Sequence, residues 1–404
     1  MKFSKKKHTY YFKQKYLDKK FLNNYLNFKQ KDWKEVEFKS GKQLKEPLDF
    51  LYLDTSYTFD KNYYGIKSNL KNMIDFSSDN YSVTNKKNLF DNLEKLASKS
   101  NKNKQNKIKK YLVKQIKLNL FKIYKQISNN NKNAEILLKE CKSFFIKNNK
   151  IILKYVHSSG GKDVFMLDSY ESFIQKILDI IKDAKNLWKT LDYKNDYLKL
   201  NNNHKKSKYR IEWVAQEYID NPYLINKKKI HFRTYILYDN TNKSAYYLDK
   251  SVIATSRLPY KKDDYNNKDI HDTHFYRNDK QINFPDDFKL NRTQINNIHK
   301  QLKEISKFII EILKKKVKCF SESKKCYYLF GGDFLLTDDL QIKLLEFNAN
   351  PGCSADAFRK GKYHYPHRIF EQIFNLIINK HFPNKTKKKE LKLNKDNQPR
   401  FIKI

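Results

Sequence analysis

The chain has 404 residues, long enough to bury a real core and to divide into two or three subdomains. Apolar residues make up 39% and aromatics 15%, which excludes a disordered polymer; 84 basic against 44 acidic residues give a net charge of +40, which attracts polyanions without choosing among them. The four cysteines form no CxxC pair and no dense framework, so zinc is not expected, and reduced, unpaired thiols in a cytoplasmic setting are.

Met1 to Tyr10 is basic and polar without the apolar stretch of a leader, and no later run is long enough to span a bilayer, so no membrane contact is expected. Residues 1–46, rich in Lys and aromatics with weak periodicity, read as a basic arm. Residues 47–80 read as a small N-terminal domain opening on a buried strand from Asp49 to Asp54. Leu89, Phe90, Leu93 and Leu96 recur at helical spacing after Thr84, which is placed to cap that helix. Ser98 to Lys110, almost all Lys, Asn, Gln and Ser, reads as a loop. After a helix from Glu135 to Phe145, Lys150 to Lys154 reads as a short buried strand ending in a lysine. It runs into His157-Ser158-Ser159-Gly160-Gly161-Lys162. Small residues there let backbone N–H groups approach phosphate oxygens while Lys154 supplies a point charge, although a plain turn would look the same.

A helical segment from Glu171 to Leu200 and a polar loop lead to a strand at Trp213 to Tyr218. In the strand from Ile230 to Leu237, alternation puts Lys229, His231 and Arg233 on one face, a basic set that suits a triphosphate. Ile298, Leu302, Ile305, Ile309 and Leu313 form the core-facing stripe of a long helix. Tyr327 to Gly352 then reads as a hairpin. If Asp338-Asp339 form a two-residue turn, Asp333 faces Leu344 and is a diagonal neighbour of Glu346, roughly 7–8 Å away at the backbone, with Asn348 on the same side. A slip of one residue would turn Asp333 away. Two carboxylates and an amide oxygen are hard donors suited to Mg²⁺, while acids beside a turn can equally face water. Phe370 to Ile378 reads as a closing helix and residues 380–404 as a basic tail.

These segments resemble the tubulin tyrosine ligase-like family of ATP-grasp enzymes. The hairpin carries Gly331-Gly332-Asp333-Phe334 and Leu344-Leu345-Glu346-Phe347-Asn348-Ala349-Asn350-Pro351, matching the family's Gly-x-Asp-hydrophobic and Leu-Leu-Glu-hydrophobic-Asn-x-x-Pro. Upstream, Trp213-Val214-Ala215-Gln216-Glu217-Tyr218-Ile219-Asp220-Asn221-Pro222 precedes Lys229-Ile230-His231-Phe232-Arg233 in the family's order, and the resemblance extends from Ser82 to Ile378. It implies an α+β ATP-grasp fold in which two α/β subdomains, residues 81–212 and 213–379, clasp ATP beside a smaller N-terminal domain. It also implies that Lys86, Lys154, Gly161, Lys229, His231 and Arg233 surround the phosphates and ribose, and that Gln216, Glu217, Tyr218 and Ile219 meet adenine. Asp333, Glu346 and Asn348 would hold Mg²⁺, and Lys154, Arg233 and Glu346 would carry catalysis.

The activity so implied is ATP-dependent joining of an amino acid to a protein carboxylate through an acyl-phosphate, by a monomer, with an acidic tail such as that of tubulin as acceptor. The rival is a noncatalytic shell of the same fold that binds acidic tails or nucleic acid. Four departures from the family pattern bear on this choice: Gly161-Lys162-Asp163-Val164 for Gly-x-Gly-Ile, His231 for Asp, Ala254 for Arg, and His271-Asp272-Thr273-His274 for His-Leu-Thr-Asn.

Overall fold

The computed structural model of the protein describes residues 8–13, 33–36, 48–53, 68–72, 81–129, 133–157, 163–200, 208–265, 267–273, 281–316, 323–349, 351, 365–382 and 398–404. Four short N-terminal strands, β1 (His8–Lys13), β2 (Trp33–Glu35), β3 (Leu48–Leu53) and β4 (Ser68–Asn72), run parallel in the order β2-β1-β3-β4. The first two lie in the stretch read as a basic arm. They are ordered by non-local pairing, with the Asp49 carboxylate accepting from the Thr9 amide at 2.8 Å and from Asn69 Nδ2 at 3.1 Å.

Helix α1 (Lys86–Ser98) is capped by Asn85 and not by Thr84: the Asn85 carbonyl oxygen of the side chain accepts from the Lys87 and Asn88 amides at 3.0 Å each. The stretch read as a loop contains helix α2 (Lys102–Tyr111), capped by Asn101 and buried only through Ile108 and Tyr111. Its apolar signal is too sparse for periodicity to find it.

A four-stranded antiparallel sheet follows, built from β5 (Gln115–Asn119), β6 (Ile151–Tyr155), β7 (Val164–Leu167) and β8 (Glu212–Glu217) in the order β5-β8-β6-β7. Alternation divides its residues between two faces. Ile151, Leu153, Tyr155, Trp213 and Ala215 enter a core with α3 (Leu120–Ser128), α4 (Asn133–Asn148) and α5 (Tyr170–Trp188), leaving Ile152, Lys154 and Gln216 on the other side.

The large sheet adds β9 (Leu224–Ile225), β10 (Lys228–Asp239), β11 (Ser244–Leu248), β12 (Ser251–Thr255), β13 (Ile282–Phe284), β14 (Ser323–Leu336), β15 (Ile342–Ala349) and β16 (Phe401–Lys403) to the N-terminal strands. The long β10 and β14 pair over eight registered positions, and the start of β14 runs parallel to β4. Helix α6 (Arg292–Lys316) lays Ile298, Leu302, Ile305, Ile309 and Leu313 under this sheet as its spacing predicts, all fully buried with α1 and α2 packed beside them. Helix α7 (Tyr365–Ile373) and a following π-helical turn cover the other face. β16 pairs with β11, so the stretch read as a basic tail ends in a strand. One thiol expectation fails: Cys326 is disulfide-bonded, its partner lying outside the described residues, while Cys141 is free and buried. Among the described residues no helix is long and apolar enough to cross a membrane.

Candidate functional site

Between the small sheet and the large one lies a cleft with ≈ 120 Å³ of space open to water-sized groups. Ile152, Lys154, Val164, Met166 and Gln216 line it from one side, and Lys229, Leu335, Leu345 and Glu346 from the other. Lys86, Glu217, Ile219, Lys268, His271, Asp272 and Thr273 complete the lining.

The acidic cluster depends on how β14 meets β15. The expected two-residue turn is instead a longer loop, closed by Thr337 N donating to Gln341 O at 3.0 Å, with Leu340 at φ 61°. This moves the register by one residue, so that Leu336 pairs with Ile342. A β-bulge moves it by one more: Phe334 pairs with Leu344, Asp333 with Glu346 and Gly331 with Asn348. One shift alone would have turned the acids apart, but the two together restore their parity. Asp333 therefore lies directly opposite Glu346 rather than diagonal to it. Ile342, Leu344 and Phe347 stay in the core while Leu345 and Glu346 both face the cleft.

Asn348 joins the two acids, its Nδ2 donating to Asp333 Oδ2 and to Glu346 Oε1 at 3.0 Å each. Arg233, paired with Asp333 across β10 and β14, grips that carboxylate in a fork, through Nε to Oδ1 and through an Nη to Oδ2 at 2.8 Å. Its stem passes Gly331, where an added Cβ would meet Pro351 Cβ at 2.5 Å and Arg233 Cδ at 2.9 Å. Burial pushes the Asp333 carboxyl up to about 6 even though Arg233 opposes the shift, and Glu346 pushes the same way. Two facing carboxylates are thus met by one guanidinium, on Asp333, and by the Lys86 ammonium, on Glu346. Among the described residues no cluster of three or more His, Cys, Asp or Glu side chains forms a metal site, and the converging set of two carboxylates and one amide fits a hard divalent cation once the Asn348 amide is turned to present its oxygen.

Cations surround this cluster. Lys86 Nζ lies 3.4 Å from Glu346 Oε2, whereas Lys87 points away to Glu212 at 2.8 Å, so of the two neighbours Lys86 serves the cleft. Lys154 Nζ donates to Gln216 Oε1 at 2.7 Å, and burial pushes its pKa down to about 8 against the pull of Glu346. Lys229 is buried over the Tyr218 ring, 4.2 Å from its centroid, and burial followed by the charge of Lys154 pushes it down to about 7. Tyr218 does not line the cleft itself. Its hydroxyl meets His271 Nδ1 at 2.7 Å, and His271 Nε2 meets the Asp264 carbonyl at 2.8 Å, which ties Asp264 and His271 to the Tyr218 side of Lys229. Glu217 is tied to the Lys114 amide at 2.8 Å.

The departures have local explanations. Asp163 adopts φ 52°, the conformation for which glycine is best suited, and its carboxylate is held by an Arg210 Nη at 2.7 Å. His231 is buried, with Nδ1 2.7 Å from Thr273 Oγ1 and Nε2 3.9 Å from Asp333 Oδ1. It pairs across the strands with Ala254, so two of the departures face one another. Gly161 and His274 lie outside the described residues.

Of the sequence-derived candidates, Lys86, Lys154, Gln216, Glu217, Ile219, Lys229 and Glu346 line the cleft, while Tyr218, His231 and Asn348 touch lining residues (Lys229, Thr273 and Glu346) and Arg233 and Asp333 connect through Asn348. The apolar walls Ile152, Val164 and Met166 are additional. Alternation about Lys154 is the signal for them: Ile152 is two residues away, and Val164 and Met166 are cross-strand partners of Lys154 and Ile152.

The chain is thus a mixed α/β protein with a cleft between an antiparallel sheet and a mixed one, a carboxylate–amide cluster on one wall and buried lysines on both. The model of the tubulin-tyrosine ligase family, an ATP-grasp-like fold, matches residues 66–390, and the chain belongs to that family. It is 23% identical over 180 residues to a protein of Caenorhabditis elegans named "Probable tubulin polyglutamylase ttll-9", covering 41% of this chain and 43% of that one. It is 26% identical over 160 residues to the Mus musculus protein named "Probable tubulin polyglutamylase TTLL9", covering 36% and 34%. The chain spans less than half the length of the curated relatives it matches.

Proposed function

We propose that the protein is an ATP-dependent ligase that joins an amino acid to a carboxylate of an acidic protein segment. The observation that carries this reading is the meeting of Asp333, Glu346 and Asn348 at one point beside a cleft that Lys86, Lys154 and Lys229 also line. ATP is the substrate that such a cleft suits: the three lysines bind its phosphates, and the walls formed by Ile152, Met166, Ile219 and Leu335 suit its base. Mg²⁺ bound at Asp333, Glu346 and Asn348 would neutralise phosphate charge. Arg233 keeps the Asp333 carboxylate aimed, and Gln216 keeps Lys154 aimed.

The acceptor carboxylate oxygen attacks the γ-phosphorus and ADP leaves. The amino group of the second substrate then attacks the acyl carbon, phosphate departs, and the amine gives up a proton as the amide forms. No enzyme nucleophile is required. The net charge of +40 supports an acidic acceptor, and the names of the relatives make a tubulin-like tail the first acceptor to try and glutamate the first amino acid.

The test is incubation with Mg-ATP, an acidic peptide and labelled amino acids. Label in the peptide together with ADP release, both lost in Glu346→Gln, is the expected result. Tight binding of the peptide with no ADP release from the unaltered chain would point to a noncatalytic binder.

A further inference from the structure

Lys86 and Lys87 are neighbours with the same charge and reach, at the N-terminus of a helix that has no acid in its first turn. The helix dipole disfavours both, so each needs an acid from elsewhere in the chain. Lys86 has Glu346 at 3.4 Å, and Lys87 has Glu212 at 2.8 Å. Glu212 is no ordinary surface partner. Its Oε2 also lies 3.6 Å from His157 Nε2 and 3.4 Å from the hydroxyl of the fully buried Tyr197, and its carbonyl accepts from the Val156 amide at 3.1 Å. Burial raises the pKa of this carboxyl, but the facing His157 ring and the Lys87 ammonium overcome that and hold it down at about 2. Close by, Lys117 is paired with Asp91 and with Glu94 at 3.8 Å, and its ammonium is pushed down by burial and then by Lys87. Removing the Glu212 charge therefore takes away the acid that Lys87 contacts, one residue from the side chain that reaches Glu346.

We propose that Glu212 is a positioning residue: by holding Lys87 against His157 and Tyr197 it keeps that amine out of the cleft and leaves Glu346 and the phosphate region to Lys86. This inference rests on the ligase reading above, because it assumes that the cleft binds nucleotide.

The experiment is calorimetric titration with Mg-ATP, alongside melting temperatures to check folding. Glu212→Gln is expected to bind about tenfold more weakly, within the range of coupling in shared polar networks. Adding Lys87→Met to that variant removes the misdirected amine and should bring affinity back to within about threefold of the unaltered chain. A merely structural role predicts no recovery, and a double variant as weak as Glu212→Gln overturns the proposal. Unchanged binding in Glu212→Gln overturns it as well. Should Glu212→Gln fail to fold, Lys87→Met alone decides: binding like the unaltered chain supports the proposal, and weakened binding shows that Lys87 itself serves the cleft and overturns it. No Mg-ATP binding by the unaltered chain would overturn the ligase reading and this inference with it, whereas binding there without any response to Glu212→Gln sinks this inference alone.

Discussion

The acidic wall of the cleft and its lysines are built by different means. On the acidic wall, backbone register decides everything: Asp333, Glu346 and Asn348 meet because two long strands pair, a loop shifts them once and a bulge shifts them again. Their side chains then interlock with one another and with Arg233. The lysines come from both walls, and each is aimed by its own few contacts, Lys154 by Gln216, Lys86 by Glu346 and Lys229 by the Tyr218 ring. An interlocked wall should fail as a unit, and a set of separate contacts should fail by degrees.

That contrast is open to breakage. Deleting Leu345 removes the extra residue of the bulge, so that either Glu346 enters the apolar core or Phe347 enters the cleft. The expected loss is more than about 4 kcal/mol, read by chemical denaturation, together with all ligase turnover. A deletion variant of ordinary stability would show that register does not set this wall. Next comes Arg233→Met, which leaves the buried Asp333 carboxylate without its partner and should destabilise the fold by about 3–5 kcal/mol near neutral pH. A melting temperature within a degree or two of the unaltered chain would refute the interlocking. Gly331→Ala pushes on Pro351 and on the Arg233 stem and should cost about 1–3 kcal/mol, with loss of activity tracking displacement of Arg233 in a crystal structure.

The smallest effect belongs to the lysines and is a dependence on pH. Lys229 and Lys154 hold pKa values near 7 and 8, well below those of ordinary lysines, so nucleotide affinity should fall stepwise as pH rises through that window. In Lys154→Met one step should vanish and the remaining Lys229 step should move up, because the Lys154 charge that helps depress it is gone. The stability of the unliganded chain should move the other way. The unfolded chain binds more protons than the folded one from these two values up to the ordinary lysine range, so stability rises with pH across it. Affinity that stays flat from neutral to mildly alkaline pH would mean that neither ammonium contributes.

Sequence patterning reached the parts of this molecule whose residues are constrained on one face. The stripe of α6 and the alternation of β10 are legible because burial repeats there with a fixed period. The gathering of Asp333, Glu346 and Asn348 is legible for a less secure reason: a simple hairpin puts them on one side, and the real strand departs from it twice, with cancelling effect. The bulge does leave a trace in the interval between core residues, two from Ile342 to Leu344 but three from Leu344 to Phe347. Elements held by distant partners leave none. β1 is recognised only through its pairing with β3, and β16 only through β11. α2 buries two side chains and shows too little periodicity, and the separate fates of Lys86 and Lys87 depend on an acid 125 residues further along the chain.

The most direct measurement of the central claim is ATP affinity with and without Mg²⁺, compared between the unaltered chain and Glu346→Gln. If oxygens from the β14–β15 hairpin and the lysines of the cleft hold one metal–nucleotide complex, Mg²⁺ should strengthen ATP binding to the unaltered chain by about tenfold or more, and Glu346→Gln should abolish that gain while keeping the metal-free affinity supplied by the lysines. An equal Mg²⁺ response in both proteins, or none in either, would contradict the account.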